Sequence, residues 1–157
     1  MKKVQDTQIL TLMVANEFGV LTRITAQIRR EGWNIKSLAV AECIDPTVSR
    51  ITLSLECFDT TLRQVIYRLS RLACVHSVSA YEPDVQLCRE LAIAKLPKLC
   101  KEVQALADKY AAQIIHQHDE GCVLELSGLP ATLDEFIAAL KEIGMMDVVR
   151  TGPIVLQ

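Results

Sequence analysis

Residues Ile9-Leu10-Thr11-Leu12-Met13-Val14-Ala15-Asn16-Glu17-Phe18-Gly19-Val20-Leu21-Thr22-Arg23-Ile24 decide the fold. The apolar run from Ile9 to Val14 reads as a strand buried on both faces, which suits the middle of a sheet. Leu21, Ile24 and Ile28 then recur at i, i+3 and i+7, a helical spacing. The residues between form a strand-to-helix turn, with Gly19 at the first helical positions. The amides of Gly19, Val20 and Leu21 fall among the donors that a helix start leaves unpaired. No Ser, Thr or Asp stands immediately before Gly19 to cap them. Free donors at the positive end of a helix attract a carboxylate. A glycine there commonly does no more than ease a tight turn, and it also lets a ligand approach the backbone.

Outward from this turn, the first helix runs from about Val20 to Glu31. Arg29 and Arg30 suit its negative end, and Gly32 stops it. A second strand runs from Asn34-Ile35 to about Cys43, and Asp45-Pro46 makes a turn. Ile51 to Cys57 alternates, with Ile51, Leu53, Leu55 and Cys57 on one face and Thr52, Ser54 and Glu56 on the outward one. Asp59 or Thr60 caps a second helix striped by Leu62, Val65, Ile66 and Leu69. Val75 to Tyr81 is a fourth strand. The order β-α-β-β-α-β predicts a ferredoxin-like sandwich, an antiparallel sheet with both helices on one face.

Glu82-Pro83-Asp84 breaks the pattern, and the plan then repeats. Leu87–Lys95 reads as a strand. Pro97 is positioned to open a helix carrying Leu99, Val103, Leu106 and Tyr110. Gln113–His118 and Cys122–Ser127 form a hairpin around Asp119-Glu120-Gly121. Pro130 opens a helix carrying Leu133, Phe136, Ile137 and Leu140, and Met146–Arg150 is a last strand. The expected fold class is α+β, with two ferredoxin-like βαββαβ domains, residues 1–83 and 84–157.

Composition narrows the function. Half of the 157 residues are hydrophobic, enough for packed cores. No apolar run approaches the length of a membrane helix, and the N-terminus lacks a signal-peptide pattern, so a soluble cytoplasmic chain is expected. Seventeen basic against nineteen acidic residues, with few aromatics, speak against nucleic-acid binding. The six cysteines lack zinc spacing and a disulfide framework. His116 and His118 share a strand face near Asp119 and Cys122; a metal chelate and a polar exposed hairpin both fit, and the hairpin is the simpler reading. His76 stands alone. No nucleophile elbow, phosphate loop or dinucleotide fingerprint occurs, and Glu56 and Glu125 have no carboxylate partner. No catalytic residue and no metal site are expected.

Three ordered motifs then carry a resemblance. They are Asn16-Glu17-Phe18-Gly19-Val20-Leu21-Thr22-Arg23, Gly32-Trp33-Asn34-Ile35-Lys36-Ser37-Leu38-Ala39-Val40 and Asp45-Pro46-Thr47-Val48-Ser49-Arg50. Together they resemble the small, regulatory subunit of acetolactate synthase (acetohydroxyacid synthase). Arg89-Glu90-Leu91 with Lys95, and the closing Arg150-Thr151-Gly152, extend the resemblance over almost the whole chain.

The resemblance implies an N-terminal ACT domain that pairs edge to edge with a second copy through its second strand. It implies a branched-chain amino acid, usually valine, at that dimer interface, where the Gly19 turn of one chain meets Asn34 of the other. The implied effector-binding set is Asn16, Gly19, Val20, Leu21, Asn34 and Ile35. It further implies a catalytic large subunit, activated by this chain and made sensitive to end product, which carries thiamine diphosphate, magnesium and FAD; this chain carries no cofactor. Asn34 also suits a local turn bond after Gly32. Lys36 stands where the family often has an acidic residue, and Glu31 where a basic or polar one is common. A free-standing sensor with two ACT domains, acting on a transcriptional or other regulatory target, is the alternative.

Overall fold

The structure is a computed structural model and describes residues 6–57, 59–82, 87–118 and 121–156. The expected boundary at Pro83-Asp84, the turn at Asp119-Glu120 and the cap side chains of Asp59 and Thr60 lie outside what is described. The chain divides into two compact units, Met1–Val85 with Gly152–Val155, and Gln86–Thr151 with Leu156–Gln157.

The first unit contains β1 (Asp6–Ala15), α1 (Val20–Arg30), β2 (Ile35–Glu42), β3 (Val48–Cys57), α2 (Asp59–Ser70) and β4 (Val75–Tyr81). Its sheet has the order β2-β3-β1-β4, with antiparallel pairings throughout. β1 is central, as its apolar run predicts. Leu10, Leu12 and Val14 of β1 and Ile51, Leu53 and Leu55 of β3 pack under Val20, Ile24 and Ile28 of α1 and Val65 and Leu69 of α2. Each such side chain, taken fully out of water, contributes roughly 1.5–3 kcal/mol. α1 stops in a reversal in which Gly32 N donates to Arg29 O and Trp33 N to Ile28 O, and this satisfies carbonyls that the helix end leaves open.

Two details differ from the expectation. Asn34 lies just before β2, which begins at Ile35. Thr52 and Ser54, expected to face outward, are both 3% exposed. Thr52 pairs in register with Thr11, itself 1% exposed, and the Ser54 hydroxyl shares a hydrogen bond with Ser37. Alternation reports which side chains share a face; it does not report whether that face is wet.

The second unit contains β5 (Cys88–Leu96), α3 (Lys101–Tyr110), β6 (Gln113–His118), β7 (Gly121–Gly128), α4 (Pro130–Glu142) and β8 (Asp147–Arg150), in the sheet order β6-β7-β5-β8. A two-residue strand, β9 (Ile154–Val155), follows in the chain and falls in the stretch grouped with the first unit. All four residues predicted for the α4 stripe are buried, and the Phe136 ring meets Tyr110 edge-on with centroids 5.4 Å apart. Pro97 does not open α3. The strand continues to Leu96, which pairs with Cys122, and the helix starts at Lys101 with Cys100 at its cap position. Proline tolerates both a first helical turn and a strand exit because neither needs its missing N–H; here the sheet register claims it. Met146 likewise precedes β8, although its amide donates to Lys95 O at 2.8 Å.

Candidate functional site

Gly19 occupies the cap position of α1 in the left-handed region, with φ +80° and ψ −2°. This is a conformation that side-chain-bearing residues adopt only at a cost. No side chain caps the helix and no acidic residue lies in its first turn. Val20 N reaches Glu17 O at a long 3.4 Å, and Arg23 N closes on Gly19 O at 3.0 Å. Among the described residues, the amides of Gly19, Leu21 and Thr22 have no main-chain acceptor. The helix start therefore presents unpaired donors beside a residue without a side chain. A Cβ built on Gly19 would meet nothing within 4 Å, so the approach is open.

The six predicted residues do not form one cluster in a single chain. Asn16 is fixed against the β2–β3 hairpin. Its main-chain N donates to Thr47 O at 2.8 Å, and its side-chain Nδ2 donates to Pro46 O at 2.9 Å and to Glu42 Oε2 at 3.0 Å. The Gly19 turn therefore sits at the Glu42 end of β2. The register agrees, since Val14 of β1 and Glu42 of β2 both face Ser49 of β3. Asn34 and Ile35 are at the other end, where Ile35 and Gln8 both face Leu55. An eight-residue strand separates the two groups by roughly 23 Å, at about 3.3 Å per residue.

The side chains also divide by exposure. Val20 is 3% exposed and packs in the core, so only its backbone faces the turn. Leu21 is 40% exposed, and Ile35 is partly buried against the same core. Asn34 is exposed, and among the described residues its side chain makes no hydrogen bond, the local turn bond included. The turn also carries Phe18, fully exposed, and the neighbouring hairpin carries Ile44, fully exposed. The departures Lys36 and Glu31 have partners of their own: Lys36 Nζ pairs with Glu56 at 2.8 Å, and Glu31 accepts from Gln27 at 2.9 Å and lies 3.7 Å from Arg68 Nε.

Elsewhere, the His116 and His118 rings stack edge to face on β6, with centroids 4.0 Å apart. Among the described residues no group of three or more His, Cys, Asp or Glu side chains is placed to hold a metal. Burial raises the thiol pKa of Cys88 and of Cys122, which keeps both protonated and unreactive. Among the described residues no helix is long and apolar enough to cross a membrane.

Comparison with known proteins gives the same reading over both units. Residues 10–77 match the model of the ACT domain of acetohydroxyacid synthase small subunits, and residues 89–157 match the model of the small subunit of acetolactate synthase. The chain belongs to the acetolactate synthase small-subunit family. It is 32% identical over 151 residues to the acetolactate synthase small subunit of Haemophilus influenzae, covering 94% of this chain and 93% of that one. It is 30% identical to the isozyme 3 small subunit of Salmonella typhimurium, with the same coverage. The crystal structure of the Thermotoga maritima small subunit superposes with a TM-score of 0.83 at 25% identity, covering 96% of each chain. The resemblance read from the ordered motifs is thus borne out, as are the ACT fold and the two βαββαβ units.

Glu42 lies outside the motifs; nothing in its sequence context marks it, and it meets the turn only through its bond to Asn16.

Proposed function

We propose that this chain is the regulatory subunit of an acetolactate synthase, binding a branched-chain amino acid, with valine favoured, between two copies of its ACT domain. It activates a catalytic large subunit, which carries the thiamine diphosphate, magnesium and FAD, and it makes that subunit sensitive to end product. Residues 1–83 do the sensing, and residues 84–157 form the companion domain.

The observation that carries this reading is the placement of the two halves of the motif set at opposite ends of β2, an edge strand. Two copies pairing antiparallel through β2 about a two-fold axis bring the beginning of one strand beside the end of the other. That pairing sets the partner's Asn34 beside the Gly19 turn, a meeting a single chain cannot make. The unpaired amides then suit the effector's carboxylate. The unbonded Asn34 side chain offers both a donor and an acceptor, while Leu21 and Ile35 suit a small branched apolar group.

The test is inhibition of the reconstituted two-subunit enzyme by valine. Gly19→Asp places a carboxylate where the effector's own would sit, and Asn34→Ala removes the contact from the other chain. Both variants should still activate the large subunit and should lose valine inhibition. Wild-type inhibition curves for both would refute the site. A thermal-shift screen of the chain against the twenty amino acids identifies the effector, because a ligand bound to the native state raises the melting point.

A further inference from the structure

We infer that Glu42 is the counter-charge for the ammonium group of the effector, and so the residue that makes this site select an amino acid over a simple carboxylic acid. The inference rests on the effector reading above. An amino acid is a zwitterion, and the helix start answers only its negative half. A carboxylate within a few ångströms of the turn would answer the positive half more strongly than a neutral acceptor, and the first turn of α1 contains no acid.

Glu17 lies on the turn itself, but among the described residues its exposed side chain has no hydrogen bond to hold it there; two further carboxylates are bonded into the loops at this end of the sheet. Asp45 is committed within its own loop, where Oδ1 accepts from Thr47 N at 2.9 Å and from Thr47 Oγ1 at 2.7 Å. Glu42 differs. Its Oε2 accepts from Asn16 Nδ2, the residue that opens the turn motif, and among the described residues its Oε1 has no partner. The bond holds the carboxylate against the turn and leaves one oxygen open. Glu42 is exposed and ends an edge strand, so a two-fold pairing of β2 would also set it near the partner's Asn34.

Isothermal titration of the chain with valine and with 3-methylbutanoate, its deaminated counterpart, tests the assignment. The wild-type chain should bind valine more tightly than 3-methylbutanoate. Glu42→Gln keeps an acceptor for Asn16 and removes the charge. It should weaken valine by about tenfold, as loss of one charge-assisted hydrogen bond would, and leave 3-methylbutanoate unchanged or tighter. Unaltered valine affinity in Glu42→Gln overturns the assignment, as does an equal loss for both ligands, which would mark Glu42 as a mere support of the loop. If the wild-type chain binds neither valine, leucine nor isoleucine, the effector reading itself falls, a result distinct from either failure of the variant.

Discussion

Arg150 grips the buried carboxylate of Glu90 with two nitrogens, Nε on Oε1 and Nη2 on Oε2, each at 2.7 Å. Glu90 is 4% exposed, and the third guanidinium nitrogen reaches Asp134 of α4. One side chain on β8 thereby joins β5 and α4, and the Glu90 bond raises the guanidinium's hold on its proton above the ordinary value. Glu90 and Arg150 belong to the two motifs that carried the resemblance into the second half of the chain. Their role here is architectural.

Arg150→Ala should therefore destabilise the chain by about 3–5 kcal/mol, because it strands a buried carboxylate. Arg150→Lys should fall between, since an ammonium cannot reproduce the planar fork. Urea unfolding followed by circular dichroism gives the midpoints. A shift of under 1 kcal/mol for Arg150→Ala would mean that water reaches Glu90.

Two backbone positions should respond in opposite directions. Ala111 ends α3 in the left-handed region at φ +56°, with its amide on Asp108 O at 3.3 Å and that of Ala112 on Ala107 O at 2.8 Å. Glycine relieves that strain and costs some entropy in the unfolded chain, so Ala111→Gly should stabilise by about 0.5–1 kcal/mol. Gly121 is the reverse case. Its φ is +148°, and an added Cβ would lie 2.5 Å from Leu96 O, a backbone atom held in the sheet. Gly121→Ala should cost about 2 kcal/mol or more. Melting temperatures of the two variants should straddle that of the parent chain.

Acid should loosen the β2–β3 hairpin through Asp45. The Thr47 hydroxyl, and then the Thr47 amide, hold its carboxyl pKa below the ordinary 3.8. A carboxylate with a depressed folded pKa contributes stability above its unfolded value and loses it as pH falls through the folded one. The Thr47 amide signal in NMR should hence titrate with a midpoint under 3.8, and Asp45→Asn should abolish the titration.

The succession of strands and helices was legible because each period, two or near 3.6, repeats long enough to be counted; β4, β6 and α4 fall where the periodicity puts them. Pro97 shows the limit. A proline rule that holds at Pro130 fails there, because the rule states what proline permits and the register with Cys122 decides what happens. The candidate site was drawn from the sequence as a set of residues and not as a geometry. That Asn34 lies a strand's length from Gly19, and that Asn16 is bonded to Glu42, depend on pairing registers that no local pattern encodes.

Val20 and Leu21 are neighbours that the sequence cannot rank, and the fold separates their roles. Val20 is 3% exposed against the sheet, so Val20→Ala removes two buried methyl groups and should cost roughly 2 kcal/mol. Leu21 is 40% exposed on the outer side of the same turn, so Leu21→Ala should change stability by no more than about 0.5 kcal/mol. For effector response the order should invert. Leu21→Ala should raise the valine concentration needed for half-inhibition severalfold, whereas Val20→Ala, once corrected for the folded fraction, should leave it near the parent value. Measuring both quantities on both variants separates a residue that builds the turn from one that the turn presents. If the two substitutions shifted inhibition equally, the exposed side of α1 would have no special claim on the ligand.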